Sequence, residues 1–460
     1  MATTDADIAR TLAQAWADEY ANTESGWLRQ ENGIWRPLPR EALLAAVSDW
    51  ICSNVQSPDP REIHMLRSAK KAQAVLSLLS GKLAVPLATF DAEGDLLNCP
   101  NGVVDLRTGA VRPHQPGDRF TKQTAVNFDP DVDRTKWERA LEAVPEDSRE
   151  WAQLEFGVSL FGRQSPHPRI TILKGGGANA KTTIAYAVRA AVGDYGMRLD
   201  PEAISAGART NPEYHMASLK GVRFLLAEEL EDRMLNEAVV KRITDSVEAK
   251  GRFPSGRPFD FKLSHDLFIS TNASLRIRTH NRGTTRRFAE LPFPYTFTAE
   301  PVEAHERKKD PAIKAWFEQP RPEVLAWLVE GAVRAYKQPH LLDQSKFPPS
   351  VRRSTADWLG SQHLAQEFVT LRLVRDPAGF VHNSELLAEY NRFRQEQGHQ
   401  VGVTTPTMLD ELRETVIADL IPSSVREQPM KGSGRNKGRA VLGLRLIGVN
   451  ETVEDRIGDF

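Results

Sequence analysis

The sequence predicts an α/β core built on a mostly parallel sheet, with a mixed α+β module before it and a small helix–helix–hairpin unit after it. Three observations predict this. The run RITILKGGGANAKTTIAYAVRAAVG reads as an apolar strand, a glycine loop and an amphipathic helix in succession. VRFLLAEELED and HDLFISTNAS read as two more strands, one ending in acids and the other in polar residues. From about residue 356 the chain reads as helix, helix and basic hairpin. Strands alternating with helices build parallel sheets, and such sheets place ligands at the C-terminal ends of their strands.

At 460 residues the chain has a soft prior of about three domains. Its 60 Lys and Arg against 61 Asp and Glu give a formal net charge of −1, with 40% hydrophobic and 26% charged residues. That composition excludes bulk disorder, a collagen-like repeat and a highly basic chromatin-type protein. It does not exclude nucleic-acid binding, because local patches set the field. The two cysteines, Cys52 and Cys99, cannot form a disulfide framework or a Cys-rich zinc site, so a reducing, cytoplasmic compartment is expected. The start, MATTDADIARTLAQAWADEYANTESGW, carries early acids and no apolar stretch of signal-peptide length. No run approaches the ~18 apolar residues of a membrane helix. A soluble, non-exported protein with no membrane partner is expected.

In chain order, residues 7–20 and 61–81 carry helical periodicity, with Leu66, Ala69, Ala72, Val75, Leu76 and Leu79 near i, i+3, i+4 spacing. Between them SGWLRQENGIWRPL reads as a hairpin turning at Asn32-Gly33 between Trp27 and Trp35. The later run NCPNGVVDLRTGAVRPHQPGDRFTK reads as short strands joined by Gly-containing turns. The polar segment 129–134 approaches a boundary, and 136–163 reads as helical. After about 300 the chain is helical again, and KFPPSVRRST at 346–355 reads as a link. In the tail, FVHNSELLAEYNRFRQEQ and TTPTMLDELRETV read as helices, the second capped by Thr405 with Pro406 in its first turn. MKGSGRNKGRAVLGLRLIG reads as a basic, Gly-rich hairpin, which completes a winged-helix-like layout. The expected domains are therefore 1–145, 146–340 and 346–460.

The chemistry concentrates at strand ends. Gly175, Gly176, Gly177, Ala178, Asn179, Ala180, Lys181, Thr182 and Thr183 nearly fit the phosphate-loop pattern G-x-x-x-x-G-K-S/T, between a strand and a helix. Backbone N–H groups freed by small residues surround phosphates, and the helix N-terminus adds positive potential. Lys181 would neutralise the outer phosphates of ATP and Thr182 would ligate Mg²⁺. The departure is Ala180, where the pattern has glycine. A β-carbon there costs on the order of 1 kcal/mol if φ is positive, and nothing if the residue is α-helical. The bland alternative is a Gly-rich surface turn with a solvated lysine.

Glu228 and Glu229 follow the apolar run Phe224–Leu226. One carboxylate there can hold Mg²⁺ and its neighbour can polarise an attacking water. The alternative is an exposed acidic turn. Asn272 ends LFISTN; its amide can bond a γ-phosphate or align water, or simply open a turn. Arg286 and Arg287 precede an apolar run, where an arginine can reach a neighbouring subunit's γ-phosphate or pair with Glu290.

Taken in this order and spacing, these features resemble the superfamily 3 helicases, hexameric AAA+ ATPases of viruses, phages and mobile elements. The likeness is greatest to the phage/plasmid primase C-terminal family, related to poxvirus-type primase-helicases. GGGANAKTT resembles its Asn-containing phosphate loop, LKGVRFLLAEE its second motif, VVKRITDSVEAKGRFPSGRPFDFK its third, STNASLRI its sensor and TTRRFAELPF its arginine-finger segment. Arg287 is the better match to the finger and Arg286 the fallback. LLNCPNGVVDLRTGAVRPHQPGDRFTKQTAVNFDP is similar to the module that precedes this helicase core. The departures are Ala180 and Asp245-Ser246, the latter where the family more often has glycine. The resemblance implies an AAA+ P-loop core, a homo-oligomer expected to be a hexamer, ATP and Mg²⁺ as cofactors, 3′ to 5′ unwinding of single-stranded or forked DNA, and a separate primase or polymerase as partner. It places the protein in the cytoplasm of a bacterial host.

The same resemblance puts a DNA-gripping hairpin at AKGRFPSGRPFDFK, where Lys250, Arg252 and Arg257 are the candidates for phosphates; Phe253, Phe259 and Phe261 are read as structural, and the alternative is a basic surface hairpin with its aromatics in the core. In the tail, Lys431, Arg435, Lys437 and Arg439 crowd one hairpin that can lie on phosphates while the helix from Thr405 enters a groove. Two other classes remain beside the ATP-driven helicase: a non-hydrolysing replication initiator whose Ala180 has spoiled turnover, and a motor acting on protein.

Overall fold

The computed structural model describes residues 4–447 apart from 116, 164, 166, 205–215, 229–234, 236–238, 240, 242–243, 245–247, 253–258, 273–274, 276, 278–285, 398–401, 414, 423–427 and 432–437. The chain forms two units, Met1–Leu275 with Arg286–Ser354, and Arg276–Thr285 with Thr355–Phe460. Among the described residues no helix is long and apolar enough to cross a membrane.

The first unit is mixed α/β. Five parallel strands make its central sheet: β1 (Ile170–Lys174), β2 (Gly196–Leu199), β3 (Phe224–Glu228), β4 (Asp266–Thr271) and β5 (Phe288–Pro292), in the order β5-β1-β4-β3-β2. β1, β3 and β4 are near-continuous apolar runs because both faces of a parallel sheet are covered. Phe224 and Phe268 are buried beside Phe156 of the helix Glu146–Val158, and the rings of Phe156 and Phe268 stack 4.6 Å apart. That helix crosses Pro322–Lys337 at two glycines. A β-carbon on Gly331 would stand 2.1 Å from the Gln153 carbonyl oxygen, and one on Gly157 would stand 2.4 Å from the Ala332 nitrogen. One core runs from Leu97, Cys99, Val104 and Leu106 through the sheet to Val351, so the strands of 96–105 are built into the same interior as the sheet.

The N-terminal hairpin forms as expected. Gly26–Glu31 pairs with Ile34–Pro37, and both Asn32 (φ 50°) and Gly33 (φ 82°) take the positive φ of a two-residue turn. Trp35 is buried, its Nε1 donating to the Asp118 carbonyl at 3.0 Å and its ring edge-on to Phe90. Several expected boundaries shift, and most of the expected link at 346–355 belongs to the helix Pro349–Arg372. The helix expected at 7–20 spans Asp5–Ala15, and Tyr20 opens a strand instead. The 61–81 periodicity divides into Pro60–Leu66 and Ala69–Lys82, because the Ser68 hydroxyl caps the second helix by accepting from the Lys71 N–H. The 136–163 stretch breaks into Thr135–Ala140 and Glu146–Val158 at Pro145.

The second unit joins the helices Asn383–Glu396 and Thr405–Leu412 to a three-stranded antiparallel sheet of Leu373–His382, Gly438–Leu446 and Met430–Lys431, around a core of Phe368, Tyr390, Phe393 and Met408. The cap position of the second helix is Thr404, one residue before the expected Thr405, and Pro406 sits in its first turn.

Candidate nucleotide site

The strand order decides what meets at the C-terminal edge of the sheet. β1 runs into the glycine loop, β4 lies beside β1, and β3 lies beside β4. The register Lys174↔Thr271 puts Asn272 level with the start of the loop, and Glu228↔Ser270 puts the acid one strand further on.

The loop is held by its own residues. The Gly175 N–H donates to the Thr271 carbonyl at 3.3 Å and the Phe297 N–H donates to the Ala178 carbonyl at 2.8 Å. Asn179 is buried and turned inward, its Nδ2 donating to the Phe293 carbonyl at 3.3 Å. Gly175 is required by that packing, since a β-carbon there would stand 1.8 Å from Asn179 Nδ2. Gly177 (φ 101°), Ala178 (φ 49°) and Ala180 (φ 60°, ψ 2°) all have positive φ. Ala180 therefore takes the left-handed conformation that glycine meets without strain. The helix Lys181–Ala191 starts directly after it, with the Ile184 N–H on the Ala180 carbonyl at 3.0 Å.

Lys181 is buried (5% exposed), and its Nζ donates to Asn272 Oδ1 at 2.9 Å. Lys174 Nζ donates to the Asn272 carbonyl, also at 2.9 Å. Glu228 is 6% exposed; its Oε2 accepts from the Tyr186 hydroxyl at 2.8 Å and lies 3.4 Å from Arg198 Nε. Burial, and then the Glu228 carboxylate, hold the Tyr186 phenol above its ordinary range, so it stays a neutral donor at physiological pH. Glu229 lies outside the described residues.

A cleft of about 780 Å³ opens over this edge, lined by Gly177–Thr183, Tyr186 and Asn272 on one side and by Phe297, Lys308, Lys309, Ile313 and Phe317 on the other. Phe297 and Ile313 are half-buried apolar walls, whereas Lys308 and Lys309 are exposed cations. Arg139 and Asp310 pair at 3.2 Å on its lining. The residues present fit a triphosphate with a hard divalent cation. Beyond their chain neighbours, no atom lies within 4 Å of where β-carbons of Gly176 and Gly177 would stand, so that side of the loop is open space. The Thr182 hydroxyl, on an exposed residue in the cleft, and the Glu228 carboxylate supply oxygen donors of the kind Mg²⁺ takes. Thr183 lies one residue further into the helix and lines the same cleft.

Several residues of this site were not expected from sequence. Tyr186 lies five positions after Lys181 inside an ordinary amphipathic helix, and Arg198 lies on a strand that was not expected. The ERKKD run at 306–310 does carry a signal, three adjacent cations, that points to an anion-facing wall.

Arg286 and Arg287 are not with the other candidates. The Arg287 carbonyl accepts from the Ile170 N–H at 2.6 Å, and the Arg286 carbonyl accepts from Gln344 Nε2 at 3.1 Å. Both therefore stand where β1 and β5 begin, and the loop stands where β1 ends. The five residues of β1, at ~3.3 Å each, set the backbones roughly 17 Å apart.

For the candidate DNA contacts, Glu248–Gly251 pairs antiparallel with Phe259–Lys262, which places Lys250 opposite Asp260 and Glu248 opposite Lys262. Lys250 and Arg252 are exposed, Phe261 is buried, and Arg257 and Phe253 lie outside the described residues. In the second unit Lys431 pairs with Gly438 and Met430 with Arg439, whose Nη1 donates to the Gln428 carbonyl at 3.2 Å. Arg435 and Lys437 lie outside the described residues, as do Asp245 and Ser246.

Comparison with known proteins gives three findings. Residues 13–145 match the family model described as D5 N terminal like. Over 311 residues, 63% of this chain, the sequence is 25% identical to a putative helicase, L207/L206, of Acanthamoeba polyphaga mimivirus, and the chain spans about a third (32%) of that relative's length. Among solved structures, an A form apo structure of the NrS-1 C terminal region (305–718) aligns with a TM-score of 0.44 at 10% identity, covering 96% of this chain and all of that one. A second A form apo structure of that region gives 0.43 at 10% identity, covering 95% and 98%.

Proposed function

We propose that this chain is an ATP-hydrolysing DNA helicase subunit of the D5-like primase-helicase type, working in replication as a ring of identical subunits. One observation carries the reading: Lys181 of the loop and Asn272 of the neighbouring strand end meet at 2.9 Å, with buried Glu228 on the next strand. Those are the groups a triphosphate hydrolase brings together, and a relative bearing the words putative helicase and an N-terminal D5-like match support the same choice.

In this reading the amides of Gly176–Ala180 and Lys181 receive the triphosphate of ATP. Thr182 and Glu228 offer oxygens to Mg²⁺, which when bound neutralises charge building on the outer phosphates. Glu229 orients the water, and Asn272 reads the γ-phosphate in exchange for its bond to Lys181. Arg287, a strand length from its own loop, serves the site of an adjacent subunit, with Arg286 as the fallback. Positive φ at Ala180 preserves the loop shape that glycine would give, which favours turnover over the silent initiator. Lys250, Arg252 and Arg257 grip one DNA strand. Lys431, Arg435, Lys437 and Arg439 lie on phosphates from a winged-helix-like unit. A separate primase supplies primers, in the cytoplasm of a bacterial host.

The test is hydrolysis with and without single-stranded DNA, followed by mixing. Lys181→Ala and Arg287→Ala should each lose turnover. Mixed, they should recover part of it, because an interface taking its lysine from one variant and its arginine from the other is intact. Assembled mixtures that stay silent would refute the shared site, and a wild-type protein that neither binds nor hydrolyses ATP would refute the motor.

A further inference from the structure

Glu228 raises a question of its own. A carboxylate 6% exposed needs partners, and both contacts the structure shows fall on one oxygen: Oε2 takes the Tyr186 hydroxyl at 2.8 Å and Arg198 Nε at 3.4 Å. The arginine side chain is half exposed and its contact is long, so water screens it. The phenol is close, neutral and carried by the rigid helix that also carries Lys181 and Thr182. Tyr186 lines the same cleft as those two residues. The geometry therefore couples the acid on β3 to the helix that begins at the phosphate loop through one hydrogen bond.

We propose that Tyr186 is a positioning residue: by occupying Oε2 it fixes the Glu228 carboxylate so that Oε1 is the oxygen offered to a nucleotide-bound divalent cation. This rests on the nucleotide reading above. A carboxylate held through one oxygen presents its unengaged oxygen to a cation, which favours one direction of approach for the ion relative to Thr182. Groups that orient a ligand from behind commonly change metal affinity on the order of tenfold when removed.

The test uses the full chain and Tyr186→Phe, which keeps the ring and removes only the donor. Binding of a fluorescent ATP analogue in EDTA should stay within about twofold of wild type. Mn²⁺ affinity of the nucleotide complex, followed by electron paramagnetic resonance, should weaken roughly tenfold. Turnover should fall by a similar factor with KM for ATP unchanged. Glu228→Gln should show the larger metal defect, and adding Tyr186→Phe to it should weaken Mn²⁺ no further. An unchanged Mn²⁺ affinity in Tyr186→Phe, with nucleotide still bound, overturns the positioning role alone. A further tenfold loss in the double variant does so too, because the phenol would then act independently of Glu228. Failure of the wild type to bind the analogue overturns the nucleotide reading, and this inference with it.

Discussion

Replacing Ala180 with glycine tests whether the departure in the phosphate loop matters, and the structure sets the size of the effect. Ala180 sits at φ 60°, ψ 2°. A left-handed alanine costs roughly 1–2 kcal/mol, which glycine would relieve. Against that, glycine frees the unfolded chain by about 0.4–1 kcal/mol. The lost methyl is partly buried against the main core, worth up to ~0.8 kcal/mol. The balance lies between roughly −1 and +1.5 kcal/mol, centred just on the stabilising side. A thermal melt should therefore move by less than about 5 °C. Because the backbone already holds the glycine-type conformation, affinity for an ATP analogue and the hydrolysis rate should each stay within about threefold of wild type. Ala180→Val is the contrast: a β-branched residue at positive φ is a true outlier, so nucleotide affinity should drop at least tenfold. A tenfold gain in turnover for Ala180→Gly would refute the argument, since it would mean that the native alanine throttles the site. Equal affinity in Ala180→Val would refute it from the other side.

Three further outcomes follow from other places. Gly331→Ala puts a β-carbon 2.1 Å from the Gln153 carbonyl oxygen, short of the 3.4 Å of ordinary contact by 3.4 − 2.1 = 1.3 Å. Separating the two helices, with strain on the Gln153 Nε2 bond to the Trp327 carbonyl, should outweigh the ~1 kcal/mol gained in helix propensity and lower the melting temperature; an unchanged or higher value would count against the crossing. Asp266, where β4 begins, has its carboxyl pushed up to about 8 by burial and then by Glu155. The folded chain thus keeps a proton that the unfolded chain releases near pH 4, so stability should fall as pH rises from about 4 to 8 and level off above. Asp266→Asn should flatten that fall and raise the melting temperature at pH 8 more than at pH 5; parallel pH curves for the two proteins would contradict it. Lys250→Ala should leave basal hydrolysis intact and weaken stimulation by single-stranded DNA, whereas unchanged stimulation would remove Lys250 from the DNA path.

Local chemistry made much of this molecule legible before any coordinates. The Asn32-Gly33 turn, the strand Ile170–Lys174 and the helix after the loop are dictated within a few residues by turn preference and by apolar spacing. Boundaries were harder wherever periodicity ran through a cap. Ser68 ends one helix and begins the next without disturbing the spacing of Leu66, Ala72 and Val75. The helix Arg40–Asn54 carries little local signal: it follows Pro39 with no side-chain cap, and Ala, Leu and Val occur around much of its circumference. The partners of Glu228 were invisible for a different reason, since Tyr186 and Arg198 reach it across 42 and 30 residues, as 228 − 186 and 228 − 198 give.

What local pattern could not supply was the strand order, and the site depends on it. Lysine, amide and acid occur at 181, 272 and 228, an order that says nothing about distance. Because β4 inserts between β1 and β3, their C-terminal ends fall on three adjacent strands at ~4.8 Å spacing, within about 10 Å overall. Had β4 added at the outer edge beyond β2, the same sequence motifs would have put Asn272 three strands from the loop instead of one, out of reach of Lys181. The same topology sends Arg287 the other way. A parallel β5 beside β1 must begin where β1 begins, so a residue directly before β5 is carried to the end of the sheet opposite the loop. An arginine placed there is a strand length from the loop of its own chain, and for this reason the mixing experiment, rather than either single variant, bears on the proposed shared site.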